Sequence, residues 1–441
     1  MPYARGSRLP AERASKLGHM EVIKNALVNE LNANLKELDP GTAPEGTSWE
    51  ALPAGGKPLR LVFAVDGSYQ VIEGVKNRLA RRAFVKTALL RLDMPQLAKI
   101  DKDSPHPLEL RDLLKDTALH HATVFPLRHV VIPGMSVYDA VRMIIYRSFR
   151  NDAKLAGAPY ETLKWLMYGK WDASENRGLP AFECPHCEFK QATLPFDADS
   201  GPCLACGKEL YLTDVLGFHQ DMAPDAAPDI IVSSYMIVHE TMLLLTGVRI
   251  YWEQFVKGEN KILPDCLFIK DGPLSIRAQY SKLVQPIRRF LAFAKSKGCD
   301  VHILGQEKSG TFFDHLQMLA SHAAPGSYFV PGDAYIKTRI QCRPNQGAPY
   351  GKDTNYGAKV FVKQSNYHWM VANVPTGKSP DVLPDPKGSD LIGFDRIAAT
   401  IPVLLSQRFE GALMPVELAN SLASLSTYPS AQVLQLFASH A

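Results

Sequence analysis

The chain has 441 residues, of which 46% are hydrophobic and 21% are charged, and its formal net charge is +4. These values exclude a mainly disordered chain, and the length predicts two or three domains or large insertions. No apolar run predicts a membrane-spanning helix, and the small positive charge permits a polyanionic partner without requiring one. No apolar segment follows the basic N-terminus, so we expect no secretory signal. We therefore expect a cytoplasmic protein.

The first 58 residues are predicted to be a helical segment followed by a linker. Apolar residues recur at helical spacing from Met20 to Leu38, and a connector rich in Pro and Gly runs from Asp39 to Pro58. We therefore expect the folded core to begin after this connector.

An apolar strand is predicted from Leu61 to Val65, directly before Asp66 and Gly67. Such a run is typical of a strand that is buried on both faces. Asp-Gly is also a common way to leave a strand, so a simple turn is one interpretation. The other is that the end of the strand presents the Asp66 carboxylate for chemistry. Residues 59–99 are predicted to form the first part of an α/β core.

Residues 100–230 are predicted to be an insertion that carries a zinc ribbon at about residues 180–212. Four cysteines have the spacing C-x2-C-x15-C-x2-C: Cys184, Cys187, Cys203 and Cys206. Each C-x-x-C turn can direct two thiolates at one tetrahedral ion, and zinc is favoured over disulfides in a cytoplasmic chain. Four thiolates leave no position for water, so the zinc is expected to be structural. His186 is expected to be a surface residue.

The second part of the core is assigned to residues 231–441 and contains another apolar strand that leads into an acidic residue. Cys266 to Ile269 is followed by Asp271 and Gly272. If this strand lies beside the strand before Asp66, the two carboxylates meet at one edge of the sheet, where a hard divalent cation binds such a pair. A chance repetition of Asp-Gly is the alternative.

A third carboxylate is predicted on a long helix that begins near Ser233. Glu240 has apolar residues three and four positions away on both sides, and a carboxylate on such a face is costly unless it is paired or bound to metal. Glu253 is the rival, although Arg249 and Lys257 make its position an ordinary salt-bridge site.

Lys308 follows a third predicted strand, from Val301 to Leu304. A lysine there can neutralise a phosphate near the metals, or it can be an ordinary surface residue.

The order of these motifs resembles the NurA family of DNA nucleases. The shared features are Asp-Gly-Ser after a first strand, Met-x-x-x-Glu in a helix, Asp-Gly-x-Leu after a later strand, and Lys-Ser after the next one. The resemblance implies an α/β fold with an RNase H-like mixed sheet flanked by helices, to which this chain adds the inserted four-cysteine zinc ribbon. It implies two Mn²⁺ or Mg²⁺ ions per site, held by Asp66, Glu240 and Asp271, with Lys308 as a helper on the phosphate side.

The resemblance also implies a function and partners. It implies cleavage of DNA as an exonuclease and single-strand endonuclease by a toroidal homodimer that works with a HerA-type hexameric ATPase, in DNA end processing or defence against foreign DNA. The alternative is a weak or inactive zinc-ribbon adaptor that binds DNA within such a complex. All three acidic candidates are present, which favours the enzyme.

The C-terminal region departs from the family pattern. NurA proteins carry a Tyr and a His there, and in this register Ala412 and Asn420 are their nearest counterparts. Three other residues could replace the missing His or Tyr if the fold delivers them to the metals: His368, Tyr428 and His440. Asn cannot shuttle a proton near neutral pH, so we expect weak activity in the isolated chain.

Overall fold

The computed structural model of the protein describes residues 18–35, 46–97, 118–151, 155, 157–172, 174, 178–223, 226–378, 381–406, 411–426 and 429–440. The chain divides into two compact units, residues 1–45 and 46–441. Each unit is described by itself below.

The described residues of the first unit, 18–35, form two short helices, α1 (Gly18–Lys24) and α2 (Ala26–Asn34). The single helix predicted from Met20 is therefore interrupted at Asn25. The Asn25 side chain accepts hydrogen bonds from the backbone N–H groups of Leu27 and Val28 at 3.0 and 3.2 Å. Asparagine is favoured at such a cap, and this local bonding competes with a continuous helix. The predicted end of the helix lies outside the described residues.

The second unit is built on a mixed sheet of nine strands among the described residues, in the order β1-β9-β10-β11-β8-β7-β2-β3-β4. A separate pair, β5 and β6, forms a small ribbon. The strands are β1 (Glu50–Ala51), β2 (Leu61–Glu73), β3 (Arg81–Asp93), β4 (Ala118–Arg128), β5 (Ser200–Pro202), β6 (Glu209–Tyr211), β7 (Cys266–Asp271), β8 (His302–Glu307), β9 (Ser327–Phe329), β10 (Ala358–Lys363) and β11 (Trp369–Val374).

The centre of the sheet confirms the predicted fold class. Strands β2, β3 and β4 form an antiparallel meander, and β7 and β8 then add to β2 in parallel. This is the arrangement expected of an RNase H-like core, in which crossover segments join the parallel strands. Strand β4 belongs to this sheet, although its residues fall in the range that the sequence assigns to the insertion.

Asp66 lies inside a strand, so the turn interpretation is wrong. The β2–β3 pairing runs from Leu61 opposite Asp93 to Glu73 opposite Arg81 without interruption. The parallel neighbour β7 accompanies β2 only from Leu61 to Val65. Asp66 therefore marks the point where the parallel pairing of β2 stops and its antiparallel pairing continues.

Helices cover both faces of the sheet. In the described part of this unit the helices are α3 (Met94–Leu97), α4 (Val137–Arg150), α5 (Ala158–Met167), α6 (Asp229–Lys257), α7 (Val284–Ser296), α8 (Thr311–Ala320), α9 (Asp333–Tyr335), α10 (Phe394–Leu404), α11 (Met414–Ala423) and α12 (Ser430–His440). One face packs against α4 to α7, and the opposite face packs against α10 and α11. Alternate residues of β2 belong to different cores: Phe63 and Val65 to the first, and Val62 and Ala64 to the second.

Helix α6 is the central helix of the first core. It is long and apolar enough to cross a membrane by length and composition, but 78% of its most apolar window is buried. Because its apolar residues are already covered by the sheet and the neighbouring helices, it packs as an internal helix of this fold.

A buried ion pair holds the ribbon against α4. Arg142 on α4 donates to both carboxylate oxygens of Asp214 at 3.1 and 2.8 Å, and each of the two side chains is only 4% exposed. The same guanidinium donates to the ring Nε2 of His186, within the first Cys knuckle, at 3.0 Å. His186 is therefore part of the contact between the ribbon and the helix and not simply a surface residue.

Candidate active site

A pocket of about 600 Å³ opens where β2, β7, β8 and α6 meet. The charged residues of its lining are Asp66, Glu240, Lys270, Asp271, Arg277, Glu307 and Lys308. The structure therefore brings together all four residues that the sequence predicts for the site, and adds Lys270, Arg277 and Glu307.

The register of the sheet places Asp66 beside Asp271. Strands β2 and β7 are parallel, and Val65 is aligned with Lys270, so the next residue of each strand is an aspartate. Ala64 and Ile269, two positions earlier in the two strands, belong to the same core. Because side chains alternate between the faces, Asp66 and Asp271 continue that face side by side.

Asp66 is the acidic residue with the least compensation in the pocket. It is 7% exposed, and its Oδ1 accepts a hydrogen bond from the Gly67 backbone N–H at 2.7 Å. Burial, followed by repulsion from Asp271 and Glu240, raises the pKa of Asp66 to about 7. A carboxyl group in this position gains a strong stabilising interaction when a cation binds beside it.

Glu240 reaches the pocket from α6, as the apolar helix pattern predicts. Its Oε2 lies 3.2 Å from the Nζ of Lys270, and both side chains are about 5% exposed or less. Burial raises the pKa of Glu240, against the opposing effect of Lys270. A carboxylate on the apolar face of α6 is costly, and the buried Lys270 partly balances the charge of Glu240 there.

Gly67 is required by the close approach of α6. A Cβ added at this position would lie 2.7 Å from both Glu240 Oε1 and Met236 Cγ. The residue after Asp66 is therefore a glycine because the helix packs over its Cα, not because the chain turns there. Glu240 Oε1 consequently faces the segment that carries Asp66.

Two cations lie nearer the opening of the pocket. Lys308 Nζ contacts Asp271 Oδ2 at 3.1 Å, with a side chain that is 33% exposed. Arg277 is exposed, and its guanidinium donates to Ser234 Oγ at 3.2 Å. Both groups can meet a phosphate that approaches the carboxylates from solvent.

The rival for the third carboxylate lies elsewhere. Glu253 forms an exposed ion pair with Arg249 at 2.8 Å, as its helical spacing predicts, and it does not line the pocket.

The C-terminal candidates are not brought into the pocket in the part of the chain that the structure describes. Asn420 is exposed on α11, Ala412 is buried before that helix, and His368 contacts Ser365 Oγ at 3.1 Å in the turn between β10 and β11. Tyr428 lies outside the described residues, as does the side chain of His440. Among the described residues, the pocket is lined by neither His nor Tyr.

The end of α11 nevertheless approaches the site. The Ser68 hydroxyl donates to the backbone carbonyl of Ala423 at 2.6 Å and accepts from the backbone N–H of Leu425 at 2.9 Å. The segment after α11 therefore leaves from a point two residues along β2 from Asp66.

The four ribbon cysteines form a second, separate cluster. Cys184 Sγ lies 3.9 Å from Cys206 Sγ, and Cys187 Sγ lies 3.9 Å from Cys203 Sγ. Four thiolates around one zinc ion, with Zn–S bonds of about 2.3 Å, stand about 3.8 Å apart, so the sulfur positions fit tetrahedral zinc. Within the described ranges, this is the one group of three or more Cys, His, Asp or Glu ligand atoms that all lie within 4.8 Å of one another.

The acidic residues are spread more widely than the cysteines, but their chemistry fits a hard divalent cation. Such ions prefer carboxylate oxygens, and Asp66 and Asp271 lie side by side at the pocket wall. Wider spacing leaves room for water and substrate oxygens in the coordination shell, which a catalytic ion needs.

Sequence reasoning missed Lys270 and Arg277. A signal for Lys270 is present, because it is a charged residue at the end of the buried run Cys266 to Ile269 and therefore needs a partner. Arg277 carries no such signal, since nothing in its sequence context separates it from other surface arginines.

Comparisons with solved structures find similarity to NurA nucleases. The NurA nuclease from Sulfolobus solfataricus is similar over 98% of this chain and 97% of its own, with 11% identity and a TM-score of 0.36. A second NurA structure has a TM-score of 0.28, and a NurA structure with manganese has one of 0.23 over 94% of each chain, both at 11% identity. No protein-family model and no curated protein sequence matches this chain.

Proposed function

We propose that the protein is a divalent-metal-dependent nuclease that hydrolyses phosphodiester bonds of DNA. The observation that carries the proposal is the convergence of Asp66, Glu240 and Asp271 on one open pocket with Lys308 near its opening. Metal-binding carboxylates and a cation in one cleft are what phosphodiester hydrolysis requires.

The chain's own residues have separable roles in this proposal. Asp66, Asp271 and Glu240 hold Mn²⁺ or Mg²⁺, which supplies stabilisation of the negative charge that develops on the attacking and leaving oxygens. The Gly67 N–H fixes one oxygen of Asp66, leaving the other available. Lys308 and Arg277 hold the phosphate at the opening, and Lys270 holds Glu240 in place and opposes the rise that burial causes in its pKa.

The cluster of four ribbon cysteines is proposed to bind one structural zinc ion. Its four thiolates complete a tetrahedral shell, so no position is left for water or substrate. The hydrolytic role therefore belongs to the carboxylate pocket.

The finer assignments follow from the motif resemblance to NurA nucleases. We propose exonuclease and single-strand endonuclease activity in a cytoplasmic homodimer that works with a HerA-type hexameric ATPase. The absence of His and Tyr from the described pocket lining supports weak cleavage by the isolated protein, since positioning of DNA by a partner can recover part of the barrier.

The test is cleavage of labelled single- and double-stranded DNA by the purified protein with Mn²⁺, Mg²⁺ or EDTA, alone and with the ATPase partner. We expect metal-dependent products that Asp66→Asn abolishes. Metal-independent cleavage, or cleavage that survives Asp66→Asn, would overturn the site assignment. DNA binding without cleavage under all conditions, with the partner present, would support the adaptor instead.

A further inference from the structure

Lys270 is an internal cation of the carboxylate pocket. Its side chain is 4% exposed, and its Nζ lies 3.2 Å from Glu240 Oε2 and donates to the backbone carbonyl of Asp271 at 3.0 Å. It is therefore held by two acceptors from two different elements, α6 and β7. Such an ammonium group is a fixed part of the site and does not exchange with solvent as a bound metal ion does.

The position of Lys270 blocks one side of Glu240. A divalent ion on the same Oε2 would lie about 2.0 to 2.5 Å from that oxygen and therefore no more than about 6 Å from the ammonium nitrogen, where two like charges with little water between them repel. Glu240 Oε1 lies near the segment that carries Asp66, because a Cβ built at Gly67 would be 2.7 Å from it. One oxygen of Glu240 is thus committed to the lysine, and the other can join Asp66 around an ion.

The balance of charge points the same way. Glu307, which also lines the pocket, is balanced by Lys359 through a contact at 2.5 Å. The rest of the lining has three carboxylates against the cationic groups of Lys270, Lys308 and Arg277, so it carries no net charge. One divalent ion and one DNA phosphate leave this lining with one net positive charge, whereas a second divalent ion raises the excess to three.

We propose that the site binds one divalent cation, beside Asp66 and Asp271, and that the Lys270 ammonium group takes the place of the second ion. This inference rests on the proposed function and specifies its metal requirement. It replaces the two ions per site implied by the family resemblance with one ion and one fixed cation.

The test counts bound Mn²⁺ by electron paramagnetic resonance and equilibrium dialysis in the zinc-loaded full chain, where the zinc gives no signal. We expect one Mn²⁺ per chain in the unmodified protein and two in Lys270→Met, with the magnetic coupling expected of ions about 3.5 to 4 Å apart. Lys270→Arg keeps the cation and should stay at one. Lys257→Met is the control, because it removes an exposed lysine of the same helix as Glu240 that does not line the pocket, and it should also stay at one.

The outcomes separate this inference from the proposed function. Two coupled Mn²⁺ ions in the unmodified protein would overturn the inference and leave the nuclease assignment standing. A Lys270→Met protein that still binds one Mn²⁺ would show that Lys270 does not exclude the second ion. If that variant does not fold, as judged by its zinc content and circular dichroism, the counts for the unmodified protein and Lys270→Arg still decide. No Mn²⁺ bound by the unmodified protein would overturn both.

Discussion

The two clusters of potential metal ligands are built on opposite principles. In the ribbon, four cysteine sulfurs stand within 4.8 Å of one another. In the pocket, Asp66 and Asp271 lie on two neighbouring strands and Glu240 comes from α6, and lysines already contact two of these three carboxylates. Four thiolates this close together would need an ion to neutralise them, whereas the pocket has partial compensation before any ion binds.

This difference follows from how many coordination positions each cluster has to leave open on its metal ion. A structural ion is stabilised by ligands that fill its shell, and nothing else needs to enter. A catalytic ion needs ligands on one side only, so the carboxylates must stay apart and their mutual repulsion must be balanced by fixed cations. Among the described residues Asp66 forms no ion pair with a lysine, and Lys308 only partly offsets the burial and the repulsion that raise its pKa.

The largest expected effect is on catalysis. Asp66→Asn and Asp271→Asn should each lower the cleavage rate by about 10²- to 10⁴-fold, because each removes a charge that holds the cation while keeping the side-chain shape. Single-turnover cleavage of labelled DNA measures this. Glu253→Gln, in an exposed ion pair on the same helix as Glu240, is the control and should cleave normally. Near-normal cleavage by either aspartate variant would contradict the assignment.

Loss of zinc should come next. Cys187→Ser should reduce zinc from about one ion per chain to none and lower the unfolding temperature, since metal binding contributes directly to the folding of such ribbons. Elemental analysis and thermal unfolding measure the two effects. Cys342→Ser changes an exposed cysteine outside the cluster and should alter neither. A zinc-free ribbon in freshly purified, reduced protein would remove the contrast between the two clusters.

The raised pKa of Asp66 predicts that the stability of the metal-free protein depends on pH. The pKa is 3.8 in the unfolded chain and about 7 in the folded protein, so the folded state holds the Asp66 proton more tightly. The contribution of this proton to the free energy of unfolding is fully present below pH 3.8 and is lost as the pH rises through 7. At pH 8, Asp66→Asn should therefore be more stable than the unmodified protein by roughly 2 to 4 kcal/mol, and near pH 4 the two should match. Chemical denaturation in EDTA at the two pH values measures this, with zinc content monitored. Equal stability of Asp66→Asn and the unmodified protein at pH 8 would show that burial and neighbouring charges do not destabilise the ionised Asp66.

The packing over Gly67 predicts a smaller loss. Gly67→Ala places a methyl group 2.7 Å from Glu240 Oε1 and should displace that carboxylate, lowering cleavage by about 10- to 100-fold with the zinc site unchanged. Gly178→Ala is the control, because a Cβ there meets nothing within 4 Å. An unchanged rate in Gly67→Ala would mean that the position of Glu240 does not matter to catalysis.

The smallest effect is expected at His368. This ring contacts Ser365 in a turn and does not line the pocket, so His368→Ala should leave the cleavage rate within about twofold of normal. Abolished cleavage would show that the histidine missing from the C-terminal region has been relocated here.

The parts of the site that depend on neighbouring residues in the chain could be predicted from the sequence. The spacing of the cysteines predicts their cluster, and the apolar runs before Asp66 and Asp271 predict two strands of one sheet. The apolar pattern around Glu240 likewise predicts that its side chain points inwards. Each prediction needs only the geometry of one turn, strand or helix.

Other features depend on contacts between distant segments, and the sequence alone does not show them. The pairing of Lys270 with Glu240 depends on the position of α6 over β7. The sequence predicts Gly67 as a turn residue, and only the packing of α6 over its Cα shows why a glycine is needed there. The continuation of β2 beyond Asp66 depends on its pairing with β3, and the membership of β4 in the sheet depends on the same partner.

The Arg142 contact limits how this protein can be modified or can have acquired its ribbon. A ribbon joined to its host only at its two ends could be deleted or transplanted as a cassette. Here Arg142 is buried on the host helix and donates to Asp214 and to His186 of the ribbon. Breaking a buried ion pair of this kind costs about 3 to 5 kcal/mol when one partner is removed. A shortened chain that omits residues 183–214 therefore needs an apolar residue in place of Arg142.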